Sequence, residues 1–245
     1  MFQSLISNED LSSLPSLMFK GEIVVVDREE QIGAACRDLL SEPIIGFDTE
    51  TRPSFKAGVS YKVSLLQLST KRRCYLFRLN KIALDREILR VLESTTTIKV
   101  GADVAGDMRS LNGLRRFKER GFIDLQHIAW QWGVEELSLR KMSAIVLGSK
   151  ISKAQRLSNW EAATLTEQQQ GYAATDAWSC IEIYEKLIQS PKLTQERIDQ
   201  IVAERKAAAQ ASAERKATRE AARANNLKGR ERQRNRQKRT KRDNE

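Results

Sequence analysis

The chain has 245 residues, a formal charge of +10 and 40% apolar residues, which suffices for one large domain with a core of its own. No run of about 20 apolar residues marks a membrane span, the acids Glu9 and Asp10 speak against a leader peptide at the N-terminus, and a cytoplasmic location is the default. Cys36, Cys74 and Cys180 are widely separated in apolar contexts, without the spacing of a zinc knuckle or a disulfide framework, and they read as buried thiols.

The charge is unevenly distributed. Residues 1–201 hold 27 Lys+Arg against 26 Asp+Glu, and residues 202–245 hold 15 against 6. A nearly neutral body therefore carries a polycationic tail, the footprint of a phosphate-binding arm, although solvated basic ends have the same composition.

Residues 1–21 form a lead-in with scattered apolar positions at Leu5, Leu11, Leu14 and Leu17. The β-branched run Glu22 to Val26 predicts a strand, with Asp27 placed to cap a helix over Arg28 to Leu40. Pro43 closes that helix and opens a second strand through Ile44 to Glu50. The Pro, Ser and Gly of residues 51–58 mark a loop, and strands follow at Val63 to Leu68 and Cys74 to Leu79. Ile82 to Leu92 has helical spacing, Ile98 to Val100 is a short strand, and Val104 to Phe117 is again helical. From Asp124 the pattern is nearly all helical, over Leu125 to Trp132, Leu137 to Leu147 and Thr166 to Ile188. Strands first and helices later imply an α/β fold, a mixed sheet covered on its faces. Beyond a domain over 22–192, residues 193–224 are rich in helix formers and twice carry Ala-Glu-Arg-Lys-Ala, at 203–207 and 213–217. Residues 225–245 are too polar to build a core and read as disordered.

Chemistry concentrates in a few acids. Asp48 and Glu50 end an apolar strand and, two residues apart, point to one face; such a pair needs raised pKa values or a cation. One of them capping the next turn is the plainer alternative. Asp107 follows a strand and the small residues Gly101, Ala102, Ala105 and Gly106, though it also suits a helix first turn. Tyr172 and Asp176 lie four apart on one helical face, and a buried Asp beside an apolar stripe requires a partner.

In this order and at these separations, Asp48-x-Glu50, Asp107 and Tyr172-x-x-x-Asp176 resemble the three motifs of the DEDD exonuclease superfamily, in the variant whose third motif carries Tyr. Arg156-Leu157-Ser158-Asn159-Trp160, Leu165-Thr166-Glu167 and the string from Tyr172 to Trp178 are similar to Werner-type exonuclease domains, with ribonuclease D a more distant relative. The resemblance covers residues 22–190 and leaves out the tail. It implies a ribonuclease H-like mixed sheet and a partner nucleic acid with a free 3′ end. It also implies two divalent cations, Mg²⁺ or Mn²⁺, on Asp48, Glu50, Asp107 and Asp176, with Tyr172 orienting the attacking water. The implied activity is 3′-5′ exonuclease hydrolysis to nucleoside monophosphates, DNA before RNA; a nuclease fold kept only for binding is the competing reading. Arg52, Phe55 and Lys56 are candidates for terminal nucleotides by charge and stacking. Asp103 is read as solvated, Asp124 as the cap of the following helix, and His127 as core packing.

Overall fold

The computed structural model describes residues 2–204, 206–207 and 210. The described residues fall into two units, one up to Lys192 and a second beginning at Leu193. In chain order the first contains α1 (Asn8–Ser13), β1 (Glu22–Val26), α2 (Ile32–Leu40), β2 (Ile44–Thr51), β3 (Val63–Ser69) and β4 (Arg73–Phe77). These are followed by α3 (Arg86–Leu92), β5 (Ile98–Gly101), α4 (Val104–Asn112), β6 (Phe122–Asp124), α5 (Leu125–Ile128), α6 (Leu139–Leu147) and α7 (Glu167–Ile188).

The six strands form one mixed sheet in the order β1-β4-β3-β2-β5-β6. β3 runs antiparallel to both β4 and β2, whereas β1/β4, β2/β5 and β5/β6 are parallel. All seven residues of β3, the polar Ser64, Gln67 and Ser69 included, are buried, as expected of a strand covered on both faces. One face buries Ile32, Leu39, Phe47, Leu68, Phe77 and Leu92 in a core with α2 and α3. The other packs Leu65, Leu76, Trp160, Ala173 and Ala174 against α7. Cys36, Cys74 and Cys180 are buried free thiols, with desolvation raising Cys36 and Cys74 to about 12.

α7 lies directly on β2 because Gly46 has no side chain. A Cβ there would sit 1.9 Å from the Ala177 carbonyl oxygen, closer than any side chain permits. Thr166 starts the helix, its hydroxyl accepting from Gln169 N while Gln169 Oε1 accepts from Thr166 N, the reciprocal arrangement that satisfies two otherwise unpaired amides.

Several expected boundaries move. The segment expected as a helix from Arg28 begins as a 3₁₀ turn, Glu29–Gln31, and Asp27 does not cap it; its carboxylate pairs with Lys81 Nζ at 3.1 Å. Helix α3 starts only at Arg86, where Asp85 Oδ1 accepts from Ile88 N. Helix α4 stops at Asn112 rather than Phe117: the Asn112 side chain accepts from Phe117 N, the competition for backbone partners that makes Asn a poor helix interior. After Ile128 the chain tightens into a 3₁₀ turn, Ala129–Trp132, ended by Gly133 at φ 87°. β6 was not expected; pairing with β5 makes it a strand. In the second unit residues 195–204 are helical; the rest of the expected helix and the basic tail from 225 to 245 lie outside the described residues.

Candidate active site

The site forms where β2 outruns β5. Parallel pairing ends at Gly46 opposite Val100, so Asp48 to Thr51 lie on an edge of β2 that β5 does not cover. Asp48 and Glu50 share the face on which Gly46 meets α7, as the twofold alternation of a strand requires. Asp48 Oδ1 accepts from Thr49 N at 2.9 Å. Thr49 points the other way, and its hydroxyl donates to Asp107 Oδ1 at 2.6 Å, so α4 delivers Asp107 to the β2 edge from its first turn. From α7, Asp176 is buried to 7% exposure, one helical turn from Tyr172, whose phenol favours its ionised form.

The electrostatics tie these groups together. Burial, then repulsion from Asp48, Asp176 and Asp107, pushes Glu50 up to about 10, with Arg156 on the preceding loop pulling the other way. Asp48 is raised well above the carboxylate range by burial and by Asp176. Asp107 rises to about 8 through burial and Asp48, against the Thr49 hydrogen bond. Asp176 rises to about 7 through burial, against the Tyr172 hydrogen bond. Four carboxylates placed to repel one another favour either protons or cations, and an all-oxygen donor set suits hard divalent ions. The residues therefore fit such ions. Among the described residues, however, no three Asp, Glu, His or Cys groups already stand as one ion's ligands; Asp107 Oδ1 is engaged by the Thr49 hydroxyl.

A family profile for 3′-5′ exonuclease domains matches residues 23–190. The chain belongs to the 3′-5′ exonuclease family. It is 34% identical over 187 residues to the mouse bifunctional 3′-5′ exonuclease/ATP-dependent helicase WRN, covering 71% of this chain and 13% of that protein. It is 32% identical over 201 residues to human exonuclease 3′-5′ domain-containing protein 2, covering 76% of this chain and 32% of that protein. The chain thus spans a third or less of the length of these relatives. The crystal structure of Escherichia coli RNase D superimposes with a TM-score of 0.62 at 21% identity, over 68% of this chain and 44% of that one. The fold is ribonuclease H-like, as the motifs implied, and members of this exonuclease family depend on divalent metal.

Around the exonuclease acids the other candidates separate. Tyr172 is half-buried beside Trp160, ring centroids 6.0 Å apart, and burial together with Asp176 and Glu50 holds its phenol far above the usual range. It remains protonated at neutral pH. Asp103 is exposed, as expected, and unusual in another way: it holds φ 61° at the start of α4. Asp124 caps more than its own helix, accepting from Gln126 N at 2.9 Å with Oδ1 and from Val104 N at 3.0 Å with Oδ2; it thereby fixes the start of the helix that bears Asp107. The reading of His127 as core packing is corrected: its side chain is 76% exposed, 3.7 Å from Asp124. Apolar neighbours in sequence did not place it on the buried side of so short a helix.

Arg52, Phe55 and Lys56 lie on the loop after β2 and line a cleft of about 300 Å³ with Tyr61, Leu157 and Asn159. Phe55 is 82% exposed. The Arg52 guanidinium stacks 4.7 Å from the Tyr61 ring centroid and pairs with Glu161 at 3.3 Å. A second cleft, about 360 Å³, reaches Tyr172 past Leu17, Met18, Ile151 and Gly171. Sequence reasoning missed Thr49 and Gly46 as organisers of the site, because neither has a group whose type alone announces the role; it read Asp124 as the cap of its own helix but not as the acceptor for Val104 N.

Proposed function

We propose that this chain hydrolyses the terminal phosphodiester bond at nucleic-acid 3′ ends, releasing nucleoside monophosphates, with two divalent cations held by Asp48, Glu50, Asp107 and Asp176. The observation that carries this reading is the convergence of these four acids from β2, α4 and α7, Asp176 buried and the other three half-buried, with desolvation raising all four pKa values and repulsion from neighbouring acids adding to the rise at Asp48, Glu50 and Asp107. Bound Mg²⁺ or Mn²⁺ would offset that charge and stabilise the negative charge that builds up on phosphoryl oxygens during in-line displacement. Asp107 would exchange its hydrogen bond from Thr49 for ligation when it holds a cation. Tyr172, protonated and at the rim, then donates its phenol hydrogen bond toward the attacking water and orients it; a phenol held this far above neutral pH is not a base.

Approach to the acids runs past exposed groups that read backbone and base faces rather than base edges. Phe55 offers a stacking face and Lys56 a charge, beside the cleft that Arg52 and Tyr61 share. The polycationic stretch after residue 201 adds sequence-independent attraction to phosphate. DNA is the favoured strand, on the similarity of the Tyr172 to Trp178 string to Werner-type domains. RNA is the second reading, on the likeness in fold to an RNase D described as an exoribonuclease involved in structured RNA processing.

The test uses 5′-labelled single-stranded and recessed duplex DNA with matched RNA strands, in EDTA, Mg²⁺ and Mn²⁺. A descending ladder that needs metal and a free 3′ hydroxyl, faster on DNA, is the expected result. Internal cuts, or no hydrolysis with either ion, overturn it; faster loss of RNA transfers the substrate assignment to the second reading.

A further inference from the structure

Gln67 is fully buried on β3, and neither its amide nitrogen nor its amide oxygen has a hydrogen-bond partner. Native interiors rarely leave both ends of a side-chain amide unpaired, since each lost hydrogen bond to water is uncompensated. The surroundings explain why no partner is at hand. Along the same face of β3 the preceding residue is Leu65, across the β4 ladder stands Leu76, and Ala173 and Ala174 of α7 pack in the same cluster as both leucines. Ser69, the next residue on this face, has its hydroxyl committed to the Thr70 carbonyl.

Across the other ladder stands a polar residue. In the antiparallel β2/β3 ladder Gln67 is the residue directly opposite Asp48, and such cross-strand pairs have Cβ atoms about 5 Å apart on one face. Asp48 has one oxygen engaged, Oδ1 by Thr49 N; among the described residues no hydrogen bond to Oδ2 accompanies it. The amide is a donor long enough to span such a pair, and the carboxylate beside it is the acceptor that has room.

We propose that Gln67 is a positioning residue for metal uptake: its Nε2–H donates to Asp48 Oδ2 when that carboxylate is ionised against a cation, fixing the carboxylate's direction. The inference rests on the reading of Asp48 as a ligand. Outer-shell donors of this kind set the orientation of a liganding group, and losing one costs about 10- to 100-fold in metal affinity. In the absence of metal the same amide is a buried polar group with no return, so its replacement by an apolar side chain of similar length relieves a burden on the fold.

The two effects have opposite signs, which makes the test selective. Full-length wild type, Gln67→Leu and Gln67→Met are stripped with EDTA, melted, and titrated with Mn²⁺ by calorimetry. Both variants are expected to melt at or above the wild-type temperature in EDTA and to bind Mn²⁺ about 10- to 100-fold more weakly, with the metal concentration for half-maximal hydrolysis raised by the same factor. Variants that bind Mn²⁺ as tightly as wild type, or that both melt well below it in EDTA, overturn the proposal and make the amide a purely structural group. Wild-type protein that takes up no Mn²⁺ overturns the assignment of Asp48 as a ligand, and with it the role of Gln67; the calorimetry of the wild type alone tells these failures apart.

Discussion

At Tyr172 the environment decides what a phenol can do. Burial and the neighbouring Asp176 and Glu50 keep its proton in place, so the group serves as a donor throughout the working pH range. Tyr172→Phe is expected to lower kcat about 100-fold, as for loss of a proton-positioning group, while leaving Mn²⁺ affinity near wild type; calorimetry and single-turnover kinetics check the split, and unchanged kcat removes Tyr172 from the mechanism. The five side chains proposed for catalysis were legible in the sequence because carboxylates and a phenol at those separations carry their chemistry in their type. Gln67 and Thr49 were not: an amide or a hydroxyl is common in any strand, and only the register opposite Asp48 and the contact with Asp107 give them a role. His127 shows the reverse error, since apolar neighbours suggested burial and the turn geometry exposes it.

Among the elements, the contact between β2 and α7 controls the site. Asp176 comes near Asp48 because the Ala177 carbonyl occupies the space where Gly46 would carry a side chain, and the alanines at 173, 174 and 177 are wholly buried. Gly46→Ala forces the helix off the strand. The expected cost is at least about 3 kcal/mol of stability, the scale of overpacking in a closed interior, together with loss of Mn²⁺ binding. Denaturant unfolding and calorimetry measure the two; a folded, metal-binding Gly46→Ala protein would show that the close approach is dispensable. The apolar and β-branched pattern located β1 to β5 and the long helix. It overran α4, where Asn112 turns the chain, and it missed β6, whose three residues become a strand only by pairing.

For the molecule as a whole, the proposed ligand set would make stability depend on pH and metal together. Folding raises Asp176 to about 7, Asp107 to about 8 and Glu50 to about 10, so the folded state holds protons that the unfolded chain releases near pH 4. The sign follows: this stabilisation is complete below pH 4 and is lost as pH climbs through 7 to 10. In EDTA the melting temperature is expected to fall from pH 6 to pH 9, and saturating Mn²⁺ to flatten that decline; a metal-free melting temperature that rises over this range contradicts the clustering. The basic tail is proposed to act at longer range. Deleting residues 203–245, which hold most of the excess positive charge, is expected to weaken DNA binding and flatten its salt dependence while leaving the rate on saturating short substrate within about twofold, since steering charge acts on encounter rather than on the bond-breaking step. Binding titrations against salt and steady-state rates check both.

The sequence by itself determined the class of fold, the acids and the phenol, and the division between a neutral body and a basic end, because side-chain type, period and charge are properties of neighbouring residues. Only the tertiary structure decided that Thr49 grips Asp107, that Gly46 admits α7 and that Gln67 faces Asp48 without a partner. Those relations join residues far apart in the chain, and a hydrogen bond or a van der Waals contact depends on where the backbone brings two atoms, which no local pattern encodes.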